Sequence, residues 1–208
     1  MSQKFIYLLD AGHGGLIDGK YTTPGKRSPI WEDDSVYYEG VGNRDIRKKL
    51  AQKMEDNGLN YHLVSVGGED TKLGRRVDII NSYCNMYGAA NCILISIHSD
   101  AFNVESAHGW SVFTTKGTTK SDAIATLISE ETKKLFPNET FREDKRDGDP
   151  DKESNFYIIA NSRCRAVLTE NFFMTNPREC KEILMAEDGR TKIADAHFNA
   201  ILRMENEL

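Results

Sequence analysis

No basic surplus runs through this chain. Its 27 Lys and Arg residues meet 32 Asp and Glu residues for a net charge of -5, so a general attraction to nucleic acid or to an anionic membrane has no support. No C-x-x-C pair occurs among Cys84, Cys92, Cys164 and Cys180, which argues against a structural zinc knuckle. In a chain large enough to hold itself together, free and mostly buried thiols are the expected state. Long apolar runs are missing as well. The N-terminal stretch Phe5-Ile6-Tyr7-Leu8-Leu9 is too short for a signal-peptide core or a membrane span. Synthesis in the cytosol is therefore expected, with any export by another route. Repeats and low-complexity linkers are absent too. A length of 208 residues suits one domain spanning 1–208, with an ample core.

What is present begins with three short apolar runs. Phe5 to Leu9 leads into Asp10-Ala11-Gly12-His13, Ile93 to Ile97 into His98-Ser99-Asp100, and Ala166 to Leu168 into Thr169-Glu170-Asn171. Each is continuous rather than alternating, the pattern of a strand covered on both faces. Helical patterns lie between them. Gly42 to Asn57 repeats apolar residues at Ile46, Leu50 and Met54 before Gly58 stops it, and Leu73 to Tyr87 puts Val77, Ile80 and Tyr83 on one face. Ser121 suits the cap of a helix ended by Pro137, and Asn176-Pro177 opens a last helical pair running to about residue 205. Tyr61 to Val66 and Trp110 to Phe113 read as further strands. The alternation predicts an α/β fold: a single open mixed, mostly parallel sheet with helices on both faces. Two stretches, Leu16 to Tyr38 and Asn138 to Asn155, match no element; long loops of this kind are usually functional or mobile.

Each apolar run ends near a residue that binds metal or carries protons, and open α/β sheets place their sites at the carboxyl ends of strands. Glycines flank His13 in Gly12-His13-Gly14-Gly15, letting the backbone bend and leaving the imidazole open. A phosphate-binding glycine loop would need a Lys-Ser/Thr ending that is missing here. Taken alone, His98 reads as a core histidine at a strand end, and Glu39, at the start of a helix with Asn43 and Ile46, as a carboxylate answering the helix dipole. Together, two imidazoles and one carboxylate make a catalytic zinc set that leaves one position open. Glu170 ends its run among apolar residues. The bland reading pairs it with a nearby Arg or Lys; a zinc hydrolase instead needs such a carboxylate as its base. His62, His108 and His197 suit structural or surface roles. No cysteine occupies a strand end or helix N-terminus where its pKa would fall, which disfavours a Cys-His nucleophile.

Nearly the whole chain resembles the zinc-dependent N-acetylmuramoyl-L-alanine amidases of the third amidase family. Asp10 to Gly15 resembles the family's D-P-G-H-G-G, Glu39 with Asn43 its E-x-x-x-N, and Leu73 to Asn81 its L-x-x-R-x-x-x-x-N helix. Ile95 to Ala101 is similar to its I-S-I-H-A-N-A, and Ala166 to Pro177 to the run that carries its catalytic glutamate. Carried over, the resemblance implies one zinc ion held by His13, Glu39 and His98, with Glu170 as the catalytic carboxylate. It implies hydrolysis of the amide between N-acetylmuramic acid and L-alanine in bacterial peptidoglycan. A zinc peptidase of wall stem peptides and a non-catalytic wall-binding module are the alternatives. Asp100 stands where the family usually has Asn. The Leu16–Tyr38 loop is longer than the family's and is expected to shape the substrate groove. No plug helix is evident before Glu170. With no signal peptide and no wall-binding domain evident, a phage or prophage endolysin released by a helper such as a holin is the expectation. Its partner is peptidoglycan, not nucleic acid or membrane.

Overall fold

The computed structural model describes residues 3–146 and 148–208. A six-stranded sheet in the order β4-β1-β5-β8-β6-β7 organises it. Its strands are β1 (Ile6–Ala11), β4 (Tyr61–Leu63), β5 (Cys92–Asp100), β6 (Ser111–Thr114), β7 (Lys152–Glu153) and β8 (Arg165–Phe173). The first four in that order run parallel, β6 is antiparallel to β8, and β7 is parallel to β6. Helices α1 (Glu39–Asp56), α3 (Ser121–Leu135) and α6 (Glu187–Glu207) contribute to the core layer on one face. Helices α2 (Leu73–Tyr87) and α4 (Tyr157–Ala160) contribute to the layer on the other. The expected mixed, mostly parallel α/β sheet is the one observed.

The side-chain period of two explains why the apolar runs are continuous. Tyr7, Leu9, Ile93, Ile95, Ile97 and Val167 enter the first core, with Ile46, Leu50, Ile124, Ile128 and Ile201 of the helices. Leu8, Cys92, Leu94, Ala166 and Leu168 enter the second, against Val77, Ile80 and Ile158. The few polar residues on these doubly covered strands are buried and bond one another, as Ser96 does with Asp10 at 2.8 Å.

Several boundaries differ from the sequence reading. The strands β5 and β8 do not end at His98 and Glu170 but run on to Asp100 and Phe173. Polar residues there find partners inside the fold, so pairing outlasts the apolar pattern. Conversely, only Tyr61–Leu63 of the expected Tyr61 to Val66 strand pairs. Ser121 lies inside α3 rather than capping it, and its hydroxyl accepts from the Ala166 N–H at 3.0 Å. Thr119 and Asp122 bond one another at the helix entrance instead. The last helical pair is a short α5 (Pro177–Glu179), continued by a π-helical turn over Cys180–Leu184, and then α6. The long Leu16–Tyr38 stretch carries a small hairpin, β2 (Leu16–Ile17) with β3 (Lys20–Tyr21), and buries Trp31 and Tyr37. All four cysteines are free and buried, as expected.

Candidate metal centre

Parallel pairing of β1 with β5 brings Asp10 opposite Ser96 and Ala11 opposite Ile97. His13 therefore emerges from β1 beside His98 of β5. Gly12 permits the close approach: a Cβ there would lie 2.2 Å from His98 Cε1. His13 itself adopts φ +64°, a left-handed conformation uncommon for histidine. Two guanidinium groups hold its carbonyl: Arg44 Nη1 donates at 2.8 Å and Arg76 Nη2 at 2.9 Å. Arg76 also donates to Asp10 Oδ1 at 2.9 Å and to the Ala11 carbonyl at 2.6 Å, anchoring the whole turn.

Glu39 is the first residue of α1 and is 1% exposed. Its Oε2 lies 3.2 Å from His13 Nε2, and its Oε1 lies 3.2 Å from His98 Nδ1. Burial alone would raise this carboxyl, but the two imidazoles outweigh it and hold Glu39 well below the usual carboxylate range. The imidazole of His98 is pushed down by burial and pulled up further by Glu39 and Glu170, so its net shift is upward. One ligand atom from each of His13, Glu39 and His98 lies within 4.8 Å of the others.

Glu170 is the register partner of His98 across β5 and β8. It lines the same cleft of about 280 Å³ as His13, Glu39 and His98. Its Oε2 is shut off from solvent and has no hydrogen-bond partner among the described residues. Burial, followed by the opposing pull of His98 and the repulsion of Glu39 and Asp100, leaves its pKa pushed up to about 8. No Arg or Lys among the described residues forms an ion pair with it, so the bland reading of a salt-bridged carboxylate is not what the fold builds.

Sequence reasoning did not assign roles to several residues that the fold brings to the site. The side chain of Asn171 donates to the His98 carbonyl at 2.9 Å and accepts from Trp110 Nε1 at 2.9 Å. Asn171 also donates to Thr169 at 3.1 Å, and Thr169 bonds His197 at 3.1 Å. Lys26, Phe156 and Tyr157 line the cleft. Arg76 falls in the L-x-x-R run noted above, a signal without a role until His13 is seen beneath it. Asp100 also lines the cleft, with burial as the main cause of its raised carboxyl. His62 stacks on Tyr83, His108 is exposed, and His197 is buried; among the described residues none joins the group that could hold a metal.

The sequence profile of a family described as N-acetylmuramoyl-L-alanine amidase matches residues 8–203. An endolysin of Bacillus phage SPP1 is 23% identical over 95% of this chain, and the chain spans 65% of that protein's length. The N-acetylmuramoyl-L-alanine amidase AmiA of Salmonella typhimurium is 24% identical over 96% of the chain and 75% of its own length. Among solved structures, an N-acetylmuramoyl-L-alanine amidase from Clostridium difficile 630 superposes with a TM-score of 0.77 at 22% identity, covering 99% of both chains. AmiC2 of Nostoc punctiforme gives 0.75 at 21% identity, covering 100% of both. At these identities the structural likeness is one of fold.

Proposed function

The chain belongs to the N-acetylmuramoyl-L-alanine amidase family, and from that premise we propose that it hydrolyses the amide between N-acetylmuramic acid and L-alanine in bacterial peptidoglycan. In this reading one zinc ion is held by His13, Glu39 and His98, Glu170 moves the proton, and residues 1–208 act as a single catalytic domain. The observation that carries it is the grouping of His13, Glu39 and His98 within 4.8 Å beside a buried, unpartnered carboxylate.

The residues fit the metal. One ligand atom from each of the three residues lies within 4.8 Å of the others, and each imidazole faces a different Glu39 oxygen at 3.2 Å. Two nitrogens and one carboxylate are the donor set of a catalytic rather than a structural zinc site. Such an ion supplies Lewis acidity, lowering the pKa of water towards about 7 and drawing charge from the carbonyl oxygen. A cation held beside Glu170 would favour its charged form, and that carboxylate takes the proton from the attacking water as the C–O bond forms. It returns that proton to the alanine nitrogen as the C–N bond breaks, separating stem peptide from glycan. Arg44 and Arg76 hold the His13 turn, and Asn171 holds the His98 carbonyl, so both imidazoles are held ready to take a metal. Lys26 lines the cleft without an ion-pair partner among the described residues and suits the carboxylates of a stem peptide. Lys145 and Arg146 of the charged loop do not serve this purpose, since they pair with Glu143 and Asp144 and neither lines the cleft.

The likeness to a phage endolysin supports action on the cell wall in lysis, with release through a separate membrane-breaching helper such as a holin. Digestion of purified peptidoglycan tests the reading. The zinc-loaded protein should release peptides bearing a free N-terminal L-alanine and create no new reducing sugar ends, and a chelator should abolish this reversibly. New amino groups on other residues would instead identify a stem-peptide peptidase. Binding without release would identify a wall-binding module.

A further inference from the structure

The charged Asn138–Asn155 stretch ends in an acidic cluster that the amide chemistry does not use. Asp151 is 1% exposed. It precedes β7, whose Lys152 and Glu153 pair with Phe113 and Thr114 of β6. A buried carboxylate is costly unless donors or a cation answer its charge. Asp151 has one side-chain donor: the Thr114 hydroxyl reaches its Oδ2 at 2.5 Å. Its Oδ1 meets no hydrogen-bond donor among the described residues. A second carboxyl group lies against it: Asp149 bonds its side chain, and Asp149 Oδ1 also accepts from the Asp151 N–H at 3.3 Å. Burial first, and then the side-chain hydrogen bond between the Asp149 and Asp151 carboxyl groups, pushes Asp151 up to about 7.

The cations nearby are committed elsewhere. Lys145 pairs with Glu143, Arg146 with Asp144, and Lys152 lies over the Phe113 ring at 5.0 Å. Asp122, which adds to the repulsion, is occupied by the N–H and hydroxyl of Thr119. An orphaned buried oxygen facing a second carboxylate calls for a positive ion. The donors are all oxygens, which suits a hard divalent cation rather than zinc. We propose that Asp149, Asp151 and the Thr114 hydroxyl form a calcium-class cation site, separate from the His13–Glu39–His98 centre. The ion ties the end of the charged loop to β6. Phe156 and Tyr157 follow on the same segment and line the catalytic cleft, so occupancy steadies one wall of that cleft. With two protein carboxylates and water completing the shell, the dissociation constant falls on the order of 10⁻⁴–10⁻³ M.

The test is calcium titration of the zinc-loaded protein at pH 8, followed by calorimetry and thermal melting. One calcium ion per chain should bind, and Tm should rise by about 3–6 °C at ten times Kd. Asp151→Asn and Asp149→Asn should each remove both responses while zinc content stays unchanged. The second variant, at a half-buried position, keeps the test open if the first does not fold. Absence of binding heat and of any Tm rise at about 10 mM calcium overturns the proposal, as does a rise that both variants retain. A calcium-free Tm that falls as pH rises through 7, with no calcium response at pH 8, overturns it in favour of a proton shared by the two carboxylates.

Discussion

His13 holds a φ of +64° that histidine seldom adopts, and such strain persists only where the surroundings over-determine it. Arg44 and Arg76, both donating to its carbonyl, are those surroundings. Histidine and glutamate divide the work by environment: Glu39 is flanked by two imidazoles and stays charged, whereas Glu170 sits beside them with one oxygen unpartnered and its pKa pushed up to about 8. The division makes a prediction. His98→Ala should lose zinc and activity together, because it removes a ligand atom. Glu170→Gln keeps the shape and removes only the proton carrier, so zinc content and fold should persist while kcat falls by about 10²- to 10⁴-fold. Metal analysis beside turnover separates the two; zinc loss from Glu170→Gln would show the roles to be wrongly assigned.

At the scale of elements, the site depends on how α1 meets the loop after β1. The helix starts at Glu39 with Gly40 pressed on that loop: a Cβ at Gly40 would lie 1.8 Å from the Gly14 carbonyl oxygen. Gly40→Ala should therefore displace Glu39 from His13 without unravelling the helix. Zinc affinity should drop by about 10- to 100-fold, measured by competition with a chelator, while helix content by circular dichroism remains near wild type. A variant with full zinc affinity would show that this contact does not set the ligand spacing. The helix and its opening glutamate were legible in the sequence, because apolar residues recur at Ile46, Leu50 and Met54. The contact between Gly40 and Gly14 was not, since nothing local distinguishes a glycine that must admit a carbonyl from one that merely bends.

At the scale of the whole molecule, a buried chain of hydrogen bonds joins α6 to the His98 carbonyl. The His197 Nδ1 donates to the Ile193 carbonyl at 2.8 Å, and its Nε2 bonds Thr169, which accepts from Asn171, which in turn donates to the His98 carbonyl. Full burial pushes His197 down to about 4 from the ordinary 6.5. The unfolded chain therefore binds this proton more readily than the folded one between those values. The contribution is complete above pH 6.5 and is lost as pH falls towards 4. Between pH 7 and 5 it should cost the wild type about 2 kcal/mol. His197→Gln lacks this titration, so its urea midpoint should fall less over the same interval; equal falls in both proteins would dismiss the role.

The sequence by itself determined the layered α/β class and the positions of the principal helices and sheet strands, and it singled out His13, Glu39, His98 and Glu170, which the fold gathers in one cleft. Apolar continuity and helical period are local signals, and residues at the ends of apolar runs can be read one by one. Tertiary structure alone decided that β5 and β8 continue past His98 and Glu170, because strand pairing there is sustained by polar partners from other elements. It also decided the arginine clamp on His13, the hydrogen-bond path from His197 to His98, and the meeting of Asp149 and Asp151 against Thr114. Each depends on groups distant in sequence arriving within hydrogen-bonding range, and only the register of the folded sheet sets those distances.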